Sequence, residues 1–141
     1  MDRTPRILLV DDNAGDVDLT QEAFRECSVH AHFYIAGDGH EALQFLMREG
    51  AFVEAPTPDL IILDLNLPRL SGRDVLRRIK STPELRRIPI VVLSTSSSAQ
   101  DIHACYELMA NTYIVKPTQW EDLLRVVRTL EQYWFGTATL P

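Results

Sequence analysis

Five side chains in this sequence can do chemistry and stand where strand-like runs end. Asp11 and Asp12 follow ILLV, Asp64 follows LIIL within DLIILDLNLP, Ser94 closes IVVLS, and Lys116 follows TYIV. Carboxylates brought together repel and push each other's pKa upward. A hard divalent cation relieves that repulsion, and carboxylates with a carbonyl and waters suit Mg2+. An amine and a hydroxyl at the same edge suit an anionic group attached to one acid. Taken singly, each residue has a plainer reading. Asp12-Asn13 can cap a helix, Lys116 can be a solvated lysine, and Ser94 can be a strand-end hydroxyl or a cap. The set gains meaning only if the fold brings these strand ends together.

The elements around them alternate. Apolar runs suited to strands cover 6–11, 31–36, 59–64, 88–95 and 112–115. Helical patterns cover 14–27, 39–50, 71–82, 98–110 and 118–135. Residues 51–58 form a loop with prolines, and Pro83 stops the third helix. Ser71 with Asp74, Ser98 with Asp101 and Thr118 with Glu121 match the capping box or its Asp variant. Five βα units with continuous apolar strands predict an α/β fold, a parallel sheet covered by helices on both faces. In such a sheet the carboxyl ends of the strands line the ligand crevice at the topological switch point. If the first and third strands are neighbours, Asp11, Asp12 and Asp64 converge there.

The totals narrow the class. The 141 residues fit one domain, with hydrophobic residues at 45% for a core. A net charge of −6 argues against nonspecific nucleic-acid binding. No apolar run approaches a membrane span, and MDRTPRILLVDDN lacks the pattern of a signal peptide. Cys27 and Cys105 have no CxxC spacing and read as reduced thiols. His30, His32, His40 and His103 lack convincing ligand spacing and read as surface or loop residues. The expected setting is the cytoplasm.

The combination of DD after the first strand, LDLNLPRLSG around Asp64, LST after the fourth strand and YIVKP at the fifth resembles the receiver domains of two-component response regulators. The resemblance spans roughly residues 6 to 135 and implies a single receiver domain over 1–141 with a tail at 136–141. It implies a flavodoxin-like (βα)5 fold with strand order 2-1-3-4-5. Carried over residue by residue, Asp64 matches the phosphoacceptor and Asp12 the direct Mg2+ ligand. Asp11 matches the acid acting through metal-bound water, and Asn66 the residue whose carbonyl reaches the metal. Lys116 and Ser94 match the groups that hold phosphoryl oxygens. Tyr113 matches the switch aromatic, expected to turn inward when Ser94 moves, and Pro117 the proline of a cis bond. Asn66 and Ser96 occupy positions that tune dephosphorylation. Ser94 stands where Thr is commoner, and Thr95 where many receivers carry Ala, which narrows access for small donors or water.

Only GTATLP follows the last helix, so the expected output is protein contact, phosphoryl relay or a phosphate sink, with no catalysis beyond the chain's own phosphotransfer and dephosphorylation. DNAGDVDLTQEAF, DLNLPRLSGRDVLRRIK, RRIPIVVLSTSSS and LEQYWFGTATLP are similar to the single-domain regulators paired with bacterial phytochrome histidine kinases. That resemblance implies a phytochrome-type sensor kinase as partner and a homodimer through the C-terminal helix region. Trp120, Leu123, Val127, Leu130 and Trp134 fall on one helical stripe, widened by Leu124, Val126, Tyr133 and Phe135. The plain reading packs the whole set on the sheet. The functional reading makes Tyr133, Trp134 and Phe135 a dimer seam. Leu19, Phe24 and the LPRLS loop are candidates for kinase docking by position.

Two rivals share parts of this pattern. A phosphatase of the haloacid dehalogenase type also uses a strand-end Asp nucleophile. It wants a second Asp two residues later, where this chain has Asn66. A pseudo-receiver keeps the fold and binds partners without phosphate. The filled set of active-site positions argues against it.

Overall fold

The structure is a computed structural model and describes residues 4–141. Five strands and five helices alternate: β1 (Arg6–Val10), α1 (Ala14–Glu26), β2 (His32–Ala36), α2 (Gly39–Met47), β3 (Leu60–Leu63), α3 (Gly72–Lys80), β4 (Ile90–Ser94), α4 (Ala99–Glu107), β5 (Thr112–Val115) and α5 (Trp120–Leu130). A 3-10 turn at Gly50–Phe52 and a π-helical turn at Glu131–Phe135 complete the order. All strand pairs are parallel, in the order β2-β1-β3-β4-β5. This is the flavodoxin-like arrangement that the receiver resemblance implies.

Each central strand feeds two cores, because successive side chains point to opposite faces. Ile7 and Leu9 of β1, with Leu60 and Ile62 of β3, join Val17, Phe24, Val127 and Leu130 under α1 and α5. Leu8, Val10, Ile61 and Leu63 join residues of α2, α3 and α4, among them Phe45, Leu76, Ile79 and Cys105. Every residue of β1 after Arg6, and all of β3 and β4, is buried. Each such Leu or Ile contributes about 1.5–3 kcal/mol when fully buried. That two-sided burial fixes the register, since a slip of one residue would exchange the faces.

The helix ends follow local chemistry. Ser71 and Ser98 accept the N–H groups of Asp74 and Asp101, as their capping boxes predict. Asn13 of the Asp12-Asn13 pair caps α1 by accepting the Asp16 N–H, which leaves Asp12 free to face the crevice. Four expectations are corrected. α2 stops at Met47, because Arg48 takes the left-handed conformation at φ 57°. α5 begins at Trp120 after Gln119, with no side-chain cap bond, so Thr118 and Glu121 form no capping box. Its expected continuation to residue 135 holds only as the π-helical turn. The Lys116–Pro117 bond is trans, like every peptide bond among the described residues, rather than the expected cis form. Trans is the lower-energy isomer for X–Pro bonds in general.

All four histidines are exposed, and both cysteines are free. No helix among the described residues is long and apolar enough to cross a membrane.

Candidate phosphoryl and metal site

Register brings the acids together. Val10 of β1 lies opposite Leu63 of β3, so Asp11 and Asp64 leave the sheet side by side. The Asp64 N–H still bonds the Val10 carbonyl at 2.9 Å, and the Asp11 N–H bonds the Ala36 carbonyl at 3.0 Å. Their backbones are therefore held by the ladder up to the residue that carries the carboxylate. On the other side, Ser94 of β4 pairs with Val115 of β5, and the Lys116 N–H bonds the Ser94 carbonyl at 2.7 Å. The strand ends deliver Lys116 to the same edge.

α3 supports Asp64 from below. A Cβ on Gly72 would fall on the Asp64 carbonyl oxygen and 2.6 Å from Leu65 Cα. Both are backbone atoms, so only glycine lets α3 start this close beneath the acid. The Gly72 N–H uses that closeness to bond the Leu65 carbonyl at 2.9 Å.

The two buried acids are held alike. One oxygen of Asp11 accepts the Asn13 N–H at 2.9 Å, and one oxygen of Asp64 accepts the Asn66 N–H at 3.2 Å. These are turns in which an acid bonds backbone two residues on. The second oxygen of each accepts from Lys116 Nζ, at 2.9 Å for Asp11 and 3.0 Å for Asp64. Burial pushes the Asp64 carboxyl up, against the pull of Lys116. Burial also works against the Lys116 charge, but its carboxylates outweigh it and hold the amine well above the usual lysine range.

Asp12 is exposed, whereas Asp11 and Asp64 are only 5% and 7% exposed. The three offer carboxylate oxygens that all lie within 4.8 Å of one another. Hard oxygen donors, close together and partly open to solvent, fit Mg2+, which keeps several waters. Asn66 stands exposed at the mouth, where its backbone joins the turn that holds Asp64.

Ser94 is fully buried, and its hydroxyl accepts the Ser96 N–H at 3.3 Å. The Tyr113 hydroxyl donates to the Ser96 carbonyl at 2.7 Å, while the Tyr113 N–H donates to the Tyr106 hydroxyl at 3.0 Å. The Tyr113 ring is half-buried against the core beneath α2, α3 and α4. It is thus already docked on the loop after β4. Ser96 Oγ bonds an Asp101 carboxylate oxygen at 2.6 Å, so every polar group of Ser96 has a partner. Thr95 lies exposed beside it.

The stripe on the last helix divides. Val127 and Leu130 are buried, and Trp120, Trp134 and Phe135 pack partly against the core under α1 and α5. Tyr133 is 53% exposed and meets Trp134 edge to face, with ring centroids 4.9 Å apart.

One contact escaped sequence reasoning. Asp16, in the first turn of α1, reaches Lys116 Nζ at 3.0 Å. A faint signal existed: Asp16 is an acid in the first turn of a helix that starts just after the Asp11-Asp12 pair. Nothing in that placement pointed to a lysine a hundred residues away.

The fold and the acidic crevice define a signalling class, and sequence comparison agrees with it. The profile of the response regulator receiver domain matches residues 7–128, and the chain belongs to that family. It is similar to response regulator Rcp1 of Synechocystis sp., 44% identical over 135 residues, which cover 96% of this chain and 92% of that protein. It is similar also to the crystal structure of the phosphorylated cyanobacterial phytochrome response regulator RcpA, with 46% identity, 99% of both chains covered and a TM-score of 0.94. The Mn(2+)-bound form of Rcp1 matches with 43% identity, 97% of this chain and 99% of that one covered, and a TM-score of 0.90.

Proposed function

We propose that the chain is a single-domain response regulator over residues 1–141 that accepts a phosphoryl group on Asp64 from a sensor histidine kinase. The observation that carries this reading is the convergence of Asp11, Asp12, Asp64 and Lys116 at one sheet edge. An Asp64 oxygen forms the new bond to phosphorus while the P–N bond of a phosphohistidine breaks, its electron pair leaving on the imidazole nitrogen. Asp11, Asp12, Asp64 and the Asn66 carbonyl are the residues that would hold Mg2+. Bound there, the ion supplies positive charge for the acids and the phosphoryl oxygens. Lys116 donates to one phosphoryl oxygen and Ser94 to another, stabilising the charge that develops on them. Lys116 is held beside Asp64 before the reaction and exchanges one carboxylate bond for a phosphoryl oxygen.

To reach the phosphoryl group, the Ser94 hydroxyl leaves the Ser96 N–H, and Tyr113, bonded to the same residue, reports the change. The face of α4, β5 and α5 then alters its contacts. Likeness to RcpA supports a phytochrome-type kinase as partner. The exposed Tyr133, with Trp134 and Phe135 behind it and Trp120 at the start of the helix, supports a homodimer seam at the C-terminal helix region. The pseudo-receiver alternative would leave a lysine-bridged acid cluster without use. The net charge of −6, with no spanning helix among the described residues, supports a protein that binds neither nucleic acid nor membrane and works in the cytoplasm.

The test is intact mass after incubation with Mg2+ and acetyl phosphate, beside Asp64→Asn. Gain of one phosphoryl group in the wild type alone is the expected result. If beryllofluoride with Mg2+ also fails to bind the wild type, the reading is wrong and the pseudo-receiver takes its place.

A further inference from the structure

Lys116 has three protons to donate, and all three are spoken for. They go to Asp11 at 2.9 Å, Asp64 at 3.0 Å and Asp16 at 3.0 Å. The three acceptors differ in kind. The Asp11 and Asp64 side chains are 4% and 9% exposed, and both belong to the acid cluster fit for a divalent cation. The Asp16 side chain is 39% exposed, comes from the first turn of α1 and stands outside that cluster. The buried pair, with the Lys116 backbone bond to Ser94, suffices to place the amine. Asp16 adds charge to a position already set.

We propose that Asp16 is a brake on phosphoryl occupancy of Asp64, which weakens the site's grip on the phosphoryl group and slows uptake from small anionic donors. The inference rests on the reading of Asp64 as acceptor. Two courses are open to Lys116 when a phosphoryl group arrives, and both have the same sign. If Lys116 gives up Asp16 to grip a second phosphoryl oxygen, the lost ion pair is charged against binding. If Lys116 keeps Asp16, one of its donors stays unavailable, and the Asp16 carboxylate repels an anion that carries more charge than the carboxylate it esterifies. An interaction shifts an equilibrium only by its difference between the two states, and here that difference opposes the loaded state. The brake is modest, because Asp16 is partly solvated and screened.

The experiment titrates beryllofluoride, a phosphoryl mimic, in the presence of Mg2+ by calorimetry. It uses the wild type, Asp16→Asn and Asp18→Asn. Asp18 is exposed two residues further along the same helix, and its variant controls for net charge and for helix stability. Thermal unfolding of the metal-free proteins establishes that all three are folded. Asp16→Asn is expected to bind roughly two- to fivefold tighter at about 20 mM salt, with the gap closing at about 500 mM. Asp18→Asn is expected to follow the wild type. A merely structural role for Asp16 would move the melting temperature and leave this salt-dependent difference at zero. Equal or weaker binding by Asp16→Asn, or an equal gain in Asp18→Asn, would overturn the brake while leaving the acceptor reading intact. Failure of all three proteins to bind would remove the acceptor reading and the brake with it.

Discussion

Two partly buried lysines sit at opposite ends of the sheet and resolve the same problem in opposite ways. At the amino ends of the strands, Lys80 of α3 donates to the Arg86 carbonyl at 3.1 Å, the Ile88 carbonyl at 3.3 Å and the Asn111 side chain at 3.4 Å. At the carboxyl ends, Lys116 donates to three carboxylates. Burial lowers the Lys80 pKa, because carbonyl dipoles do not repay the lost hydration. Lys116 suffers a similar loss, yet its pKa is raised by the acids around it. One lysine closes a loop onto the frame and needs nothing more. The other is surrounded by more negative charge than it can neutralise. Functional sites are where such charge accumulates, at a cost in stability.

Removing each lysine tests this contrast most severely. Lys116→Met leaves Asp11 and Asp64 facing each other without a counter-charge. The metal-free protein is expected to lose about 3 kcal/mol in urea unfolding, as when one partner of a buried pair is removed. Phosphoryl uptake should fall by about 100-fold, the scale for loss of one charge-stabilising donor. Gly72→Ala attacks the support under the acids. Its Cβ meets backbone on both sides, so about 2 kcal/mol should be lost on unfolding and the uptake rate should fall. Retention of both stability and uptake would show that α3 does not brace Asp64.

Asp64→Asn should move the other way. A carboxyl whose folded pKa is raised costs stability above that value, and the cost disappears as pH falls through it. The metal-free variant should therefore gain about 1 kcal/mol near neutral pH. A loss would mean that attraction to Lys116 outweighs burial at this acid.

The smallest effect is expected at Lys80. Lys80→Met should change stability by about 1 kcal/mol or less and leave phosphoryl uptake untouched. The pH response separates the two amines. With its folded pKa lowered from 10.5, Lys80 makes the wild type gain stability as pH rises toward that value. Lys116, with its pKa raised, contributes fully below 10.5 and loses its contribution only above it. The difference in urea midpoint between the wild type and Lys80→Met should shift in favour of the wild type from about pH 8 to about pH 10, a comparison in which the opposing alkaline effect of the buried Cys105 thiol cancels.

Most of the frame was legible because strands buried on both faces must read as unbroken apolar runs. LIIL and IVVLS admit little else, and Ser71 and Ser98 marked their helix starts through bonds three residues long. The acids were legible because position at a strand end suffices to aim them. Thr118 misled because a capping pattern states only an opportunity, and the chain after Pro117 starts its helix two residues later. The end of α5 misled because a helix that widens to π geometry keeps a helical pattern of side chains. Asp16 was illegible in a deeper sense. Its place in the first turn of a helix was visible, but its partner is set by how α1 meets the end of β5, a matter of tertiary packing alone.

Ser96 carries a consequence beyond its bonds. Its N–H bonds the Ser94 hydroxyl, its carbonyl takes the Tyr113 hydroxyl, and its own hydroxyl is anchored by Asp101. The buried Ser94 hydroxyl and the half-buried Tyr113 ring therefore share one residue as their common anchor. Neither can move far without tilting it. Whatever loosens the Asp101 anchor of Ser96 is therefore expected to disturb the Ser94 hydroxyl and the Tyr113 ring together.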